Sequence, residues 1–531
     1  MQTLNHINQT KMNIEMNIVQ GIAVVAFLGM TSCRSTDTDN TLKSTGISSV
    51  NVNLLGTDYS NSGSNASVAS TKSNVSDASN EIQRHQEMLT PSSFIEAELV
   101  PISSITNKQA FIGNNVVTTS GSTLGSGVKF RVIAYQQNNG AYKDYKDYTI
   151  GQHGASLILD RNEAYYLVLY SWGTNTLPTI TNGELTNISN AAITYNNISR
   201  DFTYQKVVYI TTNEKGTVST ILRHKMSEIT VTLNSFGGEM TSISNAILGP
   251  HYTSGNISLS SGNISRTSNS SNIGLSFPSG ASISKTATPI IINADTGSSN
   301  TGFFSANITL GGTTKAISLG NAFKINPEKQ QKLNINIKRC GAYLGPNQTN
   351  WKEFDCFNLG TDKTKDPFTI SSSIYGSKYQ WGNNSPVLSQ ASDQSNPGVF
   401  SNWPTAATSG MSWSSNPCPS GYRVPTKNEW ELVQSNNALT RIGTWTTSLG
   451  DNFNFGAALK IGSSLLLPVA GWRDYNAGAL QGMASRADYW SSDRYDSTYA
   501  YYFVSDYANL SYSPLLYYVV TSAMAVRCIA Q

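Results

Sequence analysis

The stretch Cys418-Pro-Ser-Gly-Tyr-Arg-Val-Pro-Thr-Lys-Asn-Glu-Trp430 decides how the last third of the chain is read. It divides into a cysteine-anchored turn, a short extended piece at Tyr422-Arg423-Val424, and a helix start. Pro425 biases the residue before it toward extended backbone and keeps the extended piece from running into the helix. Thr426 and Glu429 stand in the S/T-x-x-E relation of a capping box, in which each side chain closes a free N–H of the first turn. Trp430 and Val433, three residues apart, give that helix an apolar face.

Further motifs flank this stretch. Upstream lie Trp351-Lys-Glu-Phe-Asp-Cys356-Phe-Asn-Leu-Gly360, Asp366-Pro-Phe368 and Tyr379-Gln-Trp-Gly382; downstream lie Leu467-Pro-Val-Ala-Gly-Trp-Arg473, Tyr489-Trp-Ser-Ser492 and Val526-Arg-Cys528. Taken in this order they resemble the Fibrobacter succinogenes major paralogous domain, a secreted module of C-type-lectin-like fold common in Bacteroidetes surface proteins. The resemblance implies an α+β C-type-lectin-like domain over residues 339–531.

At the front of the chain, residues 1–33 read as an export signal. The apolar run Gly21–Met30 is shorter than the about 20 residues a spanning helix takes. Met30-Thr-Ser-Cys33 resembles a bacterial lipobox, which implies lipidation of Cys33; the plainer alternative is a cleaved signal with a chance cysteine. No second long apolar run follows, so a soluble mature protein on an outer-membrane lipid anchor is expected.

The 531 residues suffice for about three or four domains. Charged residues make up 13%, against about 25% in ordinary soluble domains, and Ser, Thr, Asn, Gly and Tyr take their place, as in many secreted all-β surface proteins. A net charge of +3 with dispersed Lys and Arg argues against nucleic acid as a partner. With Cys33 set aside, Cys340, Cys356, Cys418 and Cys528 allow three pairings. The expected pairs are Cys340–Cys356, a local staple worth about 3 kcal/mol in the chain-entropy model, and Cys418–Cys528, a long closure. Four metal-binding or free thiols are the alternative, but the sequence has no C-x-x-C pair, and export makes oxidation the simpler reading.

Residues 34–93 read as a polar linker with one strand, Val50-Asn-Val-Asn-Leu-Leu55, followed by polar residues 60–80 and by Glu81-Ile-Gln-Arg84-His-Gln. Phe94-Ile-Glu-Ala-Glu-Leu-Val100 restarts the strands. Period-two alternation then recurs at Val128, Phe130, Val132 and Ala134, with buried-strand runs at Leu157-Ile-Leu and Ala164–Tyr170. A second group holds Lys206–Ile210, then Ile229, Val231 and Leu233, then Phe303-Phe and Ile308-Thr-Leu, and finally Leu333, Ile335 and Ile337. This pattern predicts two antiparallel β-sandwiches, over 94–198 and 199–338, and a mostly β chain.

The strand at Val50–Leu55, Phe94–Val100 and Leu222-Arg-His-Lys-Met-Ser-Glu-Ile-Thr-Val-Thr-Leu233 together resemble the fimbrillin family of Bacteroidetes pilins, lipoproteins of two transthyretin-like sandwich domains. In that family an arginine-directed protease removes the first strand, and a neighbouring subunit donates a strand to the groove left behind. The resemblance implies Arg84 as the processing site and other fimbrillin subunits as partners. A plain linker arginine is the alternative at Arg84, and a cut at Arg34 would release only the anchor. The chain closes three residues after Cys528, inside a predicted disulfide-closed domain. That leaves no tail to donate and places the protein, on this reading, at a fimbrial tip.

Catalysis finds little support. None of the five histidines lies in the C-terminal module, and no H-E-x-x-H, G-x-S-x-G or phosphate-loop pattern occurs. Asp474, Asp488 and Asp493 could pair for sugar hydrolysis, but aspartates are more often turn formers. The calcium-site triplets of sugar-binding lectins of this fold are absent too, so no cofactor or metal is expected. The informative segment is Arg494–Val520, where eight tyrosines alternate with Ser, Asn and Asp. Large rigid contact area with adaptable hydrogen bonding is the chemistry of an antibody-like paratope; a pair of Tyr-rich strands with solvated faces is the bland alternative. The composition also resembles the variable segment of lectin-fold receptors diversified by retroelements. The expected contacts are Arg494, Tyr495, Asp496, Tyr499, Tyr501, Tyr507, Asn509, Tyr512 and Tyr517. The function expected is that of a cell-surface fimbrial tip adhesin binding a glycan or protein ligand. The main alternative is a static outer-membrane lipoprotein without a fibre, and an enzyme acting on surface sugars ranks third.

Overall fold

The computed structural model describes residues 46–60, 82–102, 108–112, 115–119, 124–196, 200–236, 238–267, 269–310, 312–406, 413, 415–447 and 454–531. The expected signal, Cys33 and Arg34 lie outside the described residues. No helix among the described residues is long and apolar enough to cross a membrane.

The chain is mostly β. Along it, β1 (Ile47–Asp58) is followed by a hairpin of β2 (Gln83–Thr90) and β3 (Ser93–Pro101). Then come β4 (Lys129–Gln136), β5 (Tyr142–Thr149), β6 (Leu157–Asp160), β7 (Ala164–Ser171), β8 (Thr203–Ile210) and β9 (Lys215–His224). These last six join β1 in a sheet ordered β5-β4-β7-β8-β9-β1-β6. The sheet curls until its ends meet, Lys143 Nζ donating to Asp160 at 2.7 and 2.9 Å. Period-two alternation sends Phe130, Val132, Leu167, Leu169, Val218 and Val50 to the inside of the curl. Ile133, Tyr135, Val168 and Tyr170 face a second core, closed by Ile193 and Ile257. Strand β1 is held on both sides, parallel to β9 from Ser49 to Asp58 and antiparallel to β6 from Ile47 to Val50.

A second pair of sheets is built from β10 (Ser227–Phe236), β11 (Met240–His251), β12 (Gly302–Leu310), β13 (Thr313–Phe323) and β14 (Gln330–Arg339). One sheet runs from the strand Ser284–Thr286 through β10, β14, β3 and β2; the other runs from Ser271–Gly274 through β11, β12 and β13. Ile95, Ala97, Leu99, Val231 and Ile335 of the first meet Leu248, Phe304, Ile308 and Leu319 of the second. Strands β10 and β14 pair in parallel.

The domain limits read from sequence need correction here. Phe94–Val100 does not open the first sandwich: β3 pairs with β14, Leu99 opposite Leu333 and Ile95 opposite Ile337. Conversely, Lys206–Ile210 belongs to the first sheet, where β8 pairs with β7, and that sheet runs on to His224. Val50–Leu55 is a strand of the same sheet rather than part of a linker. The chain therefore crosses from the first sandwich to the second, back, and across again. Alternation fixes which face a strand buries but not which neighbour it pairs with, so chain order stood in for spatial order. Arg84 also differs from expectation: it lies within β2 rather than between strands, opposite Glu98 and bonded to it at 2.7 Å.

The last third carries β15 (Thr349–Asn358), α1 (Gln390–Ser395), α2 (Lys427–Asn436), β16 (Arg486–Arg494), β17 (Tyr499–Asp506), β18 (Leu516–Val519) and β19 (Arg527–Ala530). The capping box forms: Thr426 Oγ1 accepts from Glu429 N–H (3.1 Å) and Glu429 Oε2 from Thr426 N–H (2.9 Å). Trp430 and Val433 are fully buried, Trp430 lying 4.7 Å from Phe503 and 5.5 Å from Phe354. Disulfides join Cys340 to Cys356 and Cys418 to Cys528. Strand β19 is held between β15 and Tyr422–Arg423.

This region is fastened to the second sandwich. The turn between β2 and β3 accepts main-chain bonds from Cys340 and Cys356, and Phe94 packs with both cysteines, Phe357 and Tyr375. Glu353 accepts from Ser92 Oγ (2.7 Å), Lys315 Nζ (3.1 Å) and Arg339 Nη2 (3.0 Å). Burial pushes its carboxyl upward, but the three donors outweigh it and hold it below the usual range.

Candidate ligand-binding surface

Strands β16, β17 and β18 form a three-stranded antiparallel sheet, with Trp490 opposite Tyr502, Tyr501 opposite Tyr517 and Ala500 opposite Tyr518. Residues directly opposite share a face, so the pleat sorts the tyrosine-rich segment into two sets.

One set is core. Tyr502 is 3% exposed and Trp490 fully buried, and Tyr518 stands 6.2 Å from Tyr502 and 6.0 Å from Trp472. The Arg486 guanidinium lies 4.2 Å from the centre of the Trp472 ring and donates to Asp488 Oδ1 (2.8 Å) and to the Tyr502 hydroxyl (2.9 Å). Burial pushes the Asp488 carboxyl up, against the pull of Arg486. Deeper still, Lys378 is fully buried, donates to the carbonyls of Ala470 and Gly471, and is pushed down by that burial to about 8. Tyr518 donates to Asp474 at 3.0 Å; burial first and then Asp474 push its hydroxyl up to about 12.

The other set is open. Tyr495 and Tyr517 stack with centroids 4.0 Å apart and planes within 4°, and they are 49% and 46% exposed. Tyr501 meets Tyr495 edge-on at 5.7 Å, and Tyr499 meets Tyr517 at 5.6 Å. Lys427, at the start of α2, holds its ammonium 5.2 Å from the Tyr501 ring while paired with Glu431 at 2.7 Å. Sequence reasoning missed Lys427, although its four-residue spacing to Glu431 on a capped helix marked it as a helix-surface residue.

The remaining expected contacts have other positions. Arg494 stacks over Trp381 at 4.9 Å and donates to Ser497 O, while Asp496 Oδ1 accepts from the N–H of Thr498 and Tyr499. Both shape the hairpin that carries Tyr495 and Tyr499. Tyr507, Asn509 and Tyr512 lie beyond β17, in its connection to β18. There Asp506 accepts from the N–H of Ala508 and Asn509 and from the Tyr512 hydroxyl, closing a turn. Burial followed by Asp506 pushes Tyr512 up to about 12; burial opposes ionisation of Asp506, but its donors hold it below the usual range. Tyr507 and Asn509 are exposed but do not join the stacked rings. The segment thus holds one aromatic face rather than one continuous contact surface.

The stacked face offers flat apolar ring surface with hydroxyls at its rim, which suits stacking and hydrogen bonding. No cluster of His, Cys, Asp and Glu able to hold a metal occurs among the described residues.

No protein-family model matches the chain, and no curated protein matches it. Solved structures of Bacteroidetes proteins superpose in part. A candidate cell adhesion protein of Bacteroides fragilis is 9% identical with a TM-score of 0.30, the match covering 54% of this chain and 92% of that one. For a fimbrial assembly protein of Parabacteroides distasonis the values are 9%, 0.27, 43% and 86%. For the fimbrial anchor protein Mfa2 of Porphyromonas gingivalis they are 11%, 0.25, 39% and 77%. TM-scores of this size do not bear on function.

Proposed function

We propose that the protein is a cell-surface adhesin that binds a glycan or protein ligand, without catalysis, through the open face of Tyr495, Tyr499, Tyr501 and Tyr517. The observation that carries this reading is the stacking of two half-exposed tyrosines beside two more, on a sheet whose other face is packed as core. Aromatic side chains kept at the surface and held rigid by one another lose little conformational freedom on binding. The test is binding of the purified full chain to target cells. Combined Tyr495→Ala, Tyr499→Ala and Tyr517→Ala should abolish binding with little change in melting temperature; retained binding rules this face out.

Assembly into a fibre, from a lipidated outer-membrane precursor cut after Arg84, is the second part of the proposal. It is supported by the setting of β1, whose loss would leave a slot between β9 and β6 lined by Val218, Leu222, Leu157 and Leu159. Arg84 is 60% exposed on an edge strand, within reach of a protease. A position at the fibre tip belongs to the same proposal; strand β19 is itself held by two neighbouring strands and the Cys418–Cys528 bridge. N-terminal sequencing of protein sheared from cells distinguishes the cases. A start at His85 fits strand exchange, and a blocked start at Cys33 fits the static lipoprotein.

A further inference from the structure

Tyr495 and Tyr517 are the closest pair of tyrosine rings among the described residues, with centroids 4.0 Å apart and planes within 4°. The next pairs on this face, Tyr499–Tyr517 at 5.6 Å and Tyr495–Tyr501 at 5.7 Å, meet edge-on instead. The chain reaches the stack from two directions. Tyr495 is set by the hairpin between β16 and β17, where its N–H donates to Tyr499 O (2.9 Å), and Tyr517 comes from β18, opposite Tyr501. Tyr495 raises the Tyr517 hydroxyl above its ordinary range, first by charge, then, after burial, through a hydrogen bond between the two hydroxyls. The hydroxyls therefore share one end of the stack, and the ring carbons next to them face each other.

That placement suits one covalent reaction of phenols. A one-electron oxidant at a protein surface attacks thiols and phenols readily, and here the four cysteines among the described residues are all held in disulfides. Half of each stacked ring meets solvent, which exposes it to the oxidant and leaves it room to tilt from face to edge. Because the rings already touch, their coupling is an intramolecular event and outruns any meeting between two chains.

We propose that Tyr495 and Tyr517 are an oxidative cross-linking site, joined as a dityrosine by hydrogen peroxide and a haem peroxidase. One peroxide takes an electron and a proton from each hydroxyl and leaves as two waters. The two phenoxyl radicals couple by a new bond between Cε carbons, one from each ring. The hydrogen on each of those carbons then moves to the phenol oxygen of its own ring. Both aromatic rings and both hydroxyls are restored, and the chain has lost two hydrogen atoms. The link ties β18 covalently to the β16–β17 hairpin. It depends on the stack alone and holds whether or not this face binds a ligand.

The test treats the dilute full chain with hydrogen peroxide and a haem peroxidase. Dityrosine fluorescence is read, and then, after reduction of the disulfides, the masses of fragments cut before each aspartate. Such cuts put residues 495, 499 and 517 on three different fragments. The expected product joins the fragments of Tyr495 and Tyr517, two hydrogens lighter, with a yield per chain that holds through about tenfold dilution. Tyr495→Phe and Tyr517→Phe keep the rings and lose the hydroxyls, and each should lower that yield about tenfold or more. In urea, where the stack is lost, the same product should become a minor one. A yield that falls with dilution, other tyrosine pairs dominating the folded chain, or fluorescence unchanged in both variants overturns the proposal. So does a product that forms equally well in urea, since the fold would then have no part in it.

Discussion

At the end of the β16–β18 sheet near Tyr495, the two faces are drawn from one tyrosine-rich stretch and do opposite things; elsewhere both are core, as Phe503 and Tyr489 show. Tyr502 and Tyr518 close over Trp490, Trp472 and the Arg486–Asp488 pair, whereas Tyr495 and Tyr517 lean on one another in the open. Tyrosine alone therefore marks neither core nor contact surface. Parity separates Tyr501 from Tyr502 and Tyr517 from Tyr518 at this end of the sheet, while further along β17 Phe503 shares the face of Tyr501 and is buried against Trp430.

Substitutions probe this division. Tyr502→Ala should cost the most, about 3–5 kcal/mol in chemical unfolding, since it opens a cavity and strips Arg486 of a partner. A loss near that of a surface site would mean that the back face is not core. Next comes the buried layer behind that face. Below about pH 8 folded and unfolded chains both keep the Lys378 proton; between about 8 and the ordinary 10.5 the unfolded chain holds more. Stability should therefore rise with pH through that window, by about 3 kcal/mol in total, and Lys378→Met should abolish the rise. Urea titrations of both proteins at pH 7.5 and 10 give the comparison. Tyr512→Phe removes one hydrogen bond to a carboxylate in the Asp506 turn and should cost about 1–2 kcal/mol, and less in acid, as pH falls through the lowered range in which folded Asp506 takes up its proton. Smallest is Tyr495→Ala, about 0.5 kcal/mol by thermal unfolding, because half of that ring already meets solvent. A loss beyond 2 kcal/mol there, on the same order-of-magnitude scale, would make the front face structural.

What the sequence made legible was local. The helix at Lys427 followed from its capping box, and the cysteine pairs from four residues with few arrangements. Strand existence followed from alternation. Strand partnership did not: Ile95, Ala97 and Leu99 carry the same pattern whether they pair with β14 or with a strand of the first sheet, and only register against Leu333 and Ile335 decides. In the tyrosine-rich segment the same limit applied. Tyr507, Asn509 and Tyr512 share the composition of Tyr495 and Tyr499, but they lie in the connection after β17, where Asp506 recruits Tyr512 into its own turn.

The fastening at Cys340 has a mechanical consequence. A pull on the C-terminal region passes through the Cys340–Cys356 staple and the Glu353 contacts into β14, which lies between β10 and β3. Load directed along β14 is shared by both hydrogen-bond ladders at once, in shear, instead of unzipping them one rung at a time. Tension applied to the C-terminal region would therefore be carried by β10, β14 and β3 together.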